Sequence, residues 1–267
     1  MAKRRGVLAA LAVTAAFASA HVAAAPQRTI FIAGDSTAAD YGPERYPQMG
    51  WGMMLKCTVK PGVVVRNHAM GGRSTRTFLS EGRLDAILAA IRPGDTVLIQ
   101  FGHNDANRAK PERFVEAKTG YRDNLLRFIA SIRAKHGQPV LLTPVAQRIF
   151  RDGQVIAGFA EYSAVVRAVA KETKTPLIDL EALSREWVAQ AGEDGAKRFY
   201  LHYAPAEQPA FPKGIDDDTH FSELGARGAA NLVAGALRRL RLPVSRAVLA
   251  DRPDLRRTTP LGRADCR

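Results

Sequence analysis

Long apolar runs are scarce in this 267-residue chain. After the first two dozen residues none is long enough to cross a bilayer, so the body offers no transmembrane helix. Cysteine is nearly absent. There are two, Cys57 and Cys266, with no CxxC and no Cys/His cluster at zinc spacing, which excludes a structural zinc module. No G-x-S-x-G occurs, so the nucleophile elbow of the α/β-hydrolases is missing. GHND at 102–105 has the composition of a metallophosphoesterase ligand loop, but the further His/Asp clusters such a site needs are not there. No basic run is interleaved with aromatics and no nucleic-acid-binding motif is found, which makes nucleic acid a poor partner. There is no internal repeat.

What is there suits one sizeable core. The chain is 46% hydrophobic and 24% charged, the balance of a folded body. Its start is different. MAKRR is basic, GVLAALAVTAAFA is apolar but short, and Ala18-Ser19-Ala20 is a small-x-small step. This pattern predicts a signal peptide over 1–25, cut near Ala20 or Ala24, and a secreted or periplasmic product. The domain then spans 26–242, and an Arg-rich tail with little periodicity runs over 243–267. The formal charge is +13, of which Lys3, Arg4 and Arg5 in the leader supply three. A basic exported protein suits an anionic polymer or surface, although good solubility alone explains the charge as well. Export and an even cysteine count permit one disulfide. Two unrelated thiols, one in the GWGMMLKC helix, are the other reading.

Strand-like and helix-like segments alternate. TIFIA (29–33), VVVRN (63–67), DTVLIQFG (95–102), PVLLTP (139–144) and TPLIDL (175–180) are apolar runs without polar alternation, as expected of parallel strands buried on both faces. Between them, Tyr121, Leu125, Phe128, Ile129 and Ile132 share one helical face that Gly137 closes. FAEYSAVVRAVAKE and SELGARGAANLVAGALRRL read the same way. Five β units alternating with helices predict a three-layer α/β/α sandwich around a five-stranded parallel sheet. Residues 38–52 and 192–219 break the pattern as long loops, a frequent seat of function.

Sites in such sheets lie at the carboxyl ends of the strands. There the sequence places Gly34-Asp35-Ser36-Thr37, Gly71-Gly72-Arg73-Ser74 and Gly102-His103-Asn104-Asp105, and before the last helix Asp216-Asp217-Asp218-Thr219-His220. Acyl transfer needs a nucleophile, a base, a carboxylate to orient it and donors for an oxyanion. Ser36, His220 and Asp217 can supply the first three. The N–H groups of Ser36 and Gly72 with the Asn104 amide can supply the donors. Asp35 is assigned to backbone bonds in its turn. His68, His103, His136 and His202 are read as structural, exposed or, for His103, lining the pocket. The three aspartates also admit a calcium-type cluster or a solvated turn.

In this order, GDST, GGRS, GHND and DDTH resemble the four blocks of the SGNH (GDSL-type) hydrolases, over roughly residues 28–240. Within that superfamily GDSTAADY, the Pro47–Gly52 stretch, GGRSTRTF and DDTHF look most like the rhamnogalacturonan acetylesterases. The resemblance implies an SGNH/flavodoxin-like sandwich and a serine esterase that removes acetyl groups from pectic polysaccharide without metal or cofactor. It implies Ser36 as nucleophile, Asp217 and His220 as its partners, and Ser36, Gly72 and Asn104 as the oxyanion hole. Gly71-Gly72 departs from the usual single glycine, which leaves Gly71 as the alternative donor. A lipase or lysophospholipase of the same superfamily is the nearest rival, followed by a non-catalytic carbohydrate-binding protein. The polar, aromatic loop with Tyr41 and Trp51 favours sugar over lipid.

Overall fold

Ile30, Ile32, Leu98, Val140 and Leu142 bury their side chains in one hydrophobic cluster, while Phe31, Ala33, Val97, Ile99 and Leu141 bury theirs in another. Adjacent residues of one strand thus feed two cores, as happens when both faces of a sheet are covered. The computed structural model describes residues 28–266. The signal peptide expected over 1–25 lies outside the described residues.

The elements in chain order are β1 (Arg28–Gly34), α1 (Trp51–Leu55), β2 (Val63–Asn67), α2 (Thr75–Ser80), α3 (Arg83–Ala90), β3 (Thr96–Gln100), α4 (Arg122–Ala134) and β4 (Gln138–Leu142). They continue with the small hairpin β5 (Phe150–Arg151) and β6 (Gln154–Val155), then α5 (Ala160–Thr173), β7 (Leu177–Ile178), α6 (Leu180–Ala191), α7 (Glu193–Ala196), β8 (Tyr200–Tyr203), β9 (Ile215–Phe221) and α8 (Glu223–Arg239). Five strands form one sheet in the order β2-β1-β3-β4-β7, every pairing parallel. Helices α1, α6 and α8 pack on one face and α2 to α5 on the other. This is the three-layer α/β/α sandwich expected.

The central strand β3 is buried at all five positions, which is why its sequence shows no alternation. The amphipathic face of α4 is buried through Leu125, Phe128, Ile129 and Ile132, as its spacing indicated. At two places the structure departs from the sequence reading. The last sheet strand is two residues long, because Asp179 leaves it to cap α6 and to take both Nε and Nη2 of Arg167 at 2.8 Å. The second long loop is not all loop. Tyr200–Tyr203 and Ile215–Phe221 pair as an antiparallel hairpin outside the main sheet.

The segment from Pro243 packs back on the body. Val244, Val248 and Leu255 join the core beside α8, and Cys266 is bonded to Cys57, with Cα atoms 5.2 Å apart. The buried guanidinium of Arg227 donates to the backbone oxygens of Asp265 (2.9 Å) and Arg263 (3.2 Å). Glu223 accepts the N–H groups of Leu261 (2.8 Å) and Gly262 (2.9 Å). Four backbone groups of the C-terminal segment are thus held by two charged groups of α8.

Candidate active site

β1 ends in a turn that its own side chains close. Asp35 is fully buried, and its Oδ1 accepts the Thr37 N–H (2.9 Å) and hydroxyl (2.7 Å). This holds Ser36 at the carboxyl end of the strand. Burial alone would raise the Asp35 carboxyl. The charge and hydrogen bond of His103, with the Thr37 donors, outweigh it and hold the group below the usual carboxylate range.

The second half of the site comes from an irregularity in the hairpin. Tyr200 pairs with Phe221, but Leu201 pairs with Asp217, so residues 218–220 bulge from β9. Asp217 shapes the bulge from within: its Oδ1 accepts the N–H groups of Thr219 (2.7 Å) and His220 (3.0 Å). Its Oδ2 faces His220 Nδ1 at 2.7 Å, and the other ring nitrogen, Nε2, lies 2.9 Å from Ser36 Oγ. The three residues form one hydrogen-bonded chain across 184 positions of sequence. Burial pushes the Asp217 carboxyl up, but the hydrogen bond and charge of His220 and the two backbone donors leave it below its ordinary value. A carboxylate so held keeps the imidazole oriented, and Nε2 is within reach of the hydroxyl proton.

The remaining expected residues gather in the same place. Ser36, Gly71, Gly72, Asn104, Asp217 and His220 all line one cleft of about 640 Å³. Gly72 has φ +78°, the left-handed region that glycine adopts freely, within a turn closed by the Arg73 N–H on Met70 O (3.3 Å). Gly71 lies beside Ser36: a Cβ there would stand 3.8 Å from that of Ser36. Asn104 donates from Nδ2 to the Arg73 carbonyl at 3.1 Å, which ties the third block to the second.

Asp105 reinforces that tie. Its buried Oδ1 accepts the Thr75 N–H (2.9 Å) and hydroxyl (2.5 Å) at the start of α2. Burial, opposed by the Thr75 donors and aided by the charge of Asp35, pushes its carboxyl up to about 7.

The two aromatics of the first loop part company. Trp51 is buried and donates its indole N–H to Gln100 at 2.7 Å, so it is core and cannot stack on a ligand. Tyr41 does line the cleft, and its hydroxyl donates to Ser36 O at 2.8 Å. Burial and the charge of Asp35 push that hydroxyl up to about 12, so it stays a donor near neutral pH.

The three consecutive aspartates do not converge. Asp217 turns to His220, while Asp216 and Asp218 reach opposite ring nitrogens of His202 at 2.5 and 2.8 Å. Arg148 Nε braces Asp218 at 2.6 Å. His202 thus lies behind the bulge, and His103 lines the cleft beside Asp35. Sequence reasoning missed Arg45 and Arg113, which also line the cleft. Both are single arginines in polar loops, a pattern that carries no signal.

Comparison with known proteins decides the lineage. The model of the GDSL-like lipase/acylhydrolase family matches residues 32–227. The chain belongs to this family. It is 42% identical over 216 residues to the rhamnogalacturonan acetylesterase RhgT of Bacillus subtilis, covering 80% of this chain and 91% of the relative. The crystal structure of the Bacillus subtilis YxiM protein superposes with a TM-score of 0.69 at 31% identity, covering 81% of this chain and 57% of that one. An acetylxylan esterase of Geobacillus stearothermophilus, Axe2, shares the fold with a TM-score of 0.53 at 21% identity, over 80% and 93% of the two chains. As a family member with such relatives, the chain is a carboxylic ester hydrolase.

Proposed function

We propose that this protein removes acetyl groups from acetylated polysaccharide, with pectic rhamnogalacturonan as its substrate, by way of an acyl-enzyme on Ser36. The observation that carries the reading is the Ser36–His220–Asp217 chain of 2.9 and 2.7 Å contacts at the wall of a broad polar cleft. Ser36 Oγ attacks the acetyl carbonyl as its proton passes to His220 Nε2. Asp217 accepts the Nδ1–H and stabilises the imidazolium. The negative oxygen is held by the N–H groups of Ser36 and Gly72 and by the Asn104 amide. Collapse expels the sugar oxygen, which takes the proton from His220. Water, deprotonated by the same base, then attacks the acetyl ester. Acetate leaves, and the proton returns to Ser36.

Substrate class is supported by the lining and by the relatives. Tyr41, Arg45, Gln48, Asn107, Arg113 and Gln147 give the cleft a hydrogen-bonding wall, whereas a lipase requires a continuous apolar surface for the chain. Relatives at 42% and 39% identity are named as a rhamnogalacturonan acetylesterase and a probable one. Export belongs to the same proposal, and a Cys57–Cys266 bridge suits an oxidising compartment. The test is acetate release from acetylated rhamnogalacturonan, acetylated xylan and nitrophenyl esters of rising chain length, with Ser36→Ala as control. Release from the pectic polymer well above that from xylan is expected. Preference for long acyl chains overturns the polysaccharide reading.

A further inference from the structure

An asparagine can serve an oxyanion only if its Nδ2, not its Oδ1, faces the reacting carbonyl. The two ends of the amide are nearly the same shape, so packing alone does not choose between them. Neighbours that can only donate or only accept do choose. On one end, Asn104 Nδ2 donates to the carbonyl of Arg73 at 3.1 Å. On the other, Arg113 Nη1 donates to Asn104 Oδ1 at 3.4 Å. A carbonyl cannot donate and a guanidinium cannot accept, so both contacts reject the flipped amide. The cation also draws electron density toward Oδ1, which makes the remaining N–H of Nδ2 a stronger donor.

Gly72 bears on the same guanidinium. A Cβ at Gly72 would meet Arg113 Nη1, Cζ and Nη2 at 3.2, 3.3 and 3.5 Å. Three atoms of the fork at nearly equal distance mean that the plane of the guanidinium lies over the glycine. Arg113 therefore touches both residues that were expected, besides Ser36, to donate to the oxyanion. Its own place is set by the loop after β3, where its N–H bonds Lys110 O at 2.9 Å and its Nε lies 3.5 Å from Glu112.

We infer that Arg113 is a positioning residue of the oxyanion hole: it locks the Asn104 amide in the donating orientation and roofs Gly72. This rests on the proposed role of Asn104.

The experiment is a double-mutant cycle read on p-nitrophenyl acetate, which carries no carboxylate for Arg113 to bind. Arg113→Met keeps the apolar stem and removes the fork. It should lower kcat and kcat/KM together by tenfold or more, with KM within about twofold. Arg113→Lys should recover part of the loss, since an ammonium can still donate to Oδ1. In an Asn104→Ala background, Arg113→Met should cost less than threefold further, because its effect runs through the missing amide. Independent, multiplicative losses overturn the inference. So does an unchanged kcat in Arg113→Met, including the case where only KM for a uronate-containing oligosaccharide rises, which makes Arg113 a substrate-binding group. If Asn104→Ala itself leaves kcat intact, the proposed role of Asn104 fails first, and the single variants show that separately.

Discussion

Arg227 follows Glu223 by one helical turn, and the two form a buried ion pair, Nε to Oε1 at 2.7 Å, with 1% of each side chain exposed. Glu223 also takes the Tyr46 hydroxyl at 2.9 Å, so one carboxylate links α8, the C-terminal segment and the loop carrying Arg45 and Gln48 into the cleft. Glu223→Ala leaves the Arg227 charge buried without its partner. It should destabilise the protein by about 3–5 kcal/mol in denaturant unfolding. A loss below about 1 kcal/mol sinks this account.

Cys57 and Cys266 are separated by 209 residues. Closing so long a loop restricts the unfolded chain, for up to about 5 kcal/mol in the chain-entropy model. Cys266→Ser should lower the thermal midpoint and free the last residues to proteases, while kcat at moderate temperature stays within about twofold, since neither cysteine lines the cleft. Thiol labelling of native protein prepared without reductant should find no free thiol. Two reactive thiols per chain contradict the bridge.

Ser36→Ala removes the only hydroxyl within hydrogen-bond reach of His220 Nε2 among the described contacts. If Ser36 is the proposed nucleophile, turnover should fall by several orders of magnitude, on the order of 10⁶ by analogy with Ser-His-Asp enzymes. Retention of a tenth of the activity rules Ser36 out as nucleophile. Circular dichroism should be unchanged, because the Ser36 hydroxyl meets His220 at the cleft wall and does not join the core.

Asp105 gives a pH prediction whose sign follows from burial. Its carboxyl is raised from 3.8 to about 7 in the fold, so between those values the native chain holds a proton that the unfolded chain has released. The stability tied to this group is complete below about pH 4 and is lost as pH rises through 7, by at most about 4 kcal/mol. Asp105→Asn keeps an oxygen for Thr75 but cannot ionise. The stability of the variant minus that of the wild type should therefore rise from pH 4 to 7 and then level off. A flat difference curve disproves it.

Much of the site was legible because its residues sit in short blocks at strand ends, where small and polar types stand out against apolar runs. Ser36 follows the buried run of β1, and Asn104 follows that of β3, so the parallel fold alone brings them together. The β8–β9 hairpin was not legible. Its strand IDDDTHF buries little, and its middle is bulged by Asp217 rather than patterned by burial. Trp51 looked like a sugar platform because composition cannot tell a loop aromatic that turns inward from one that turns out. Its bond to Gln100, nearly fifty residues away, decided that. Arg113 gave no sign at all, since what marks it is the surface of Gly72 and Asn104 and not its own neighbours in sequence.

The bridge between Cys57 and Cys266 also makes the greater part of the chain a covalent ring. A protease that cuts once anywhere inside that ring opens it without releasing a fragment, and both new ends remain tethered through sulfur. A nicked molecule therefore keeps its full mass until it is reduced. In that state it can hold Ser36, contributed before the ring begins, against His220, contributed from within it. Within the ring, loss of a fragment takes either two cuts or one cut plus a reductant, so there damage to the polypeptide and damage to the enzyme are separate events.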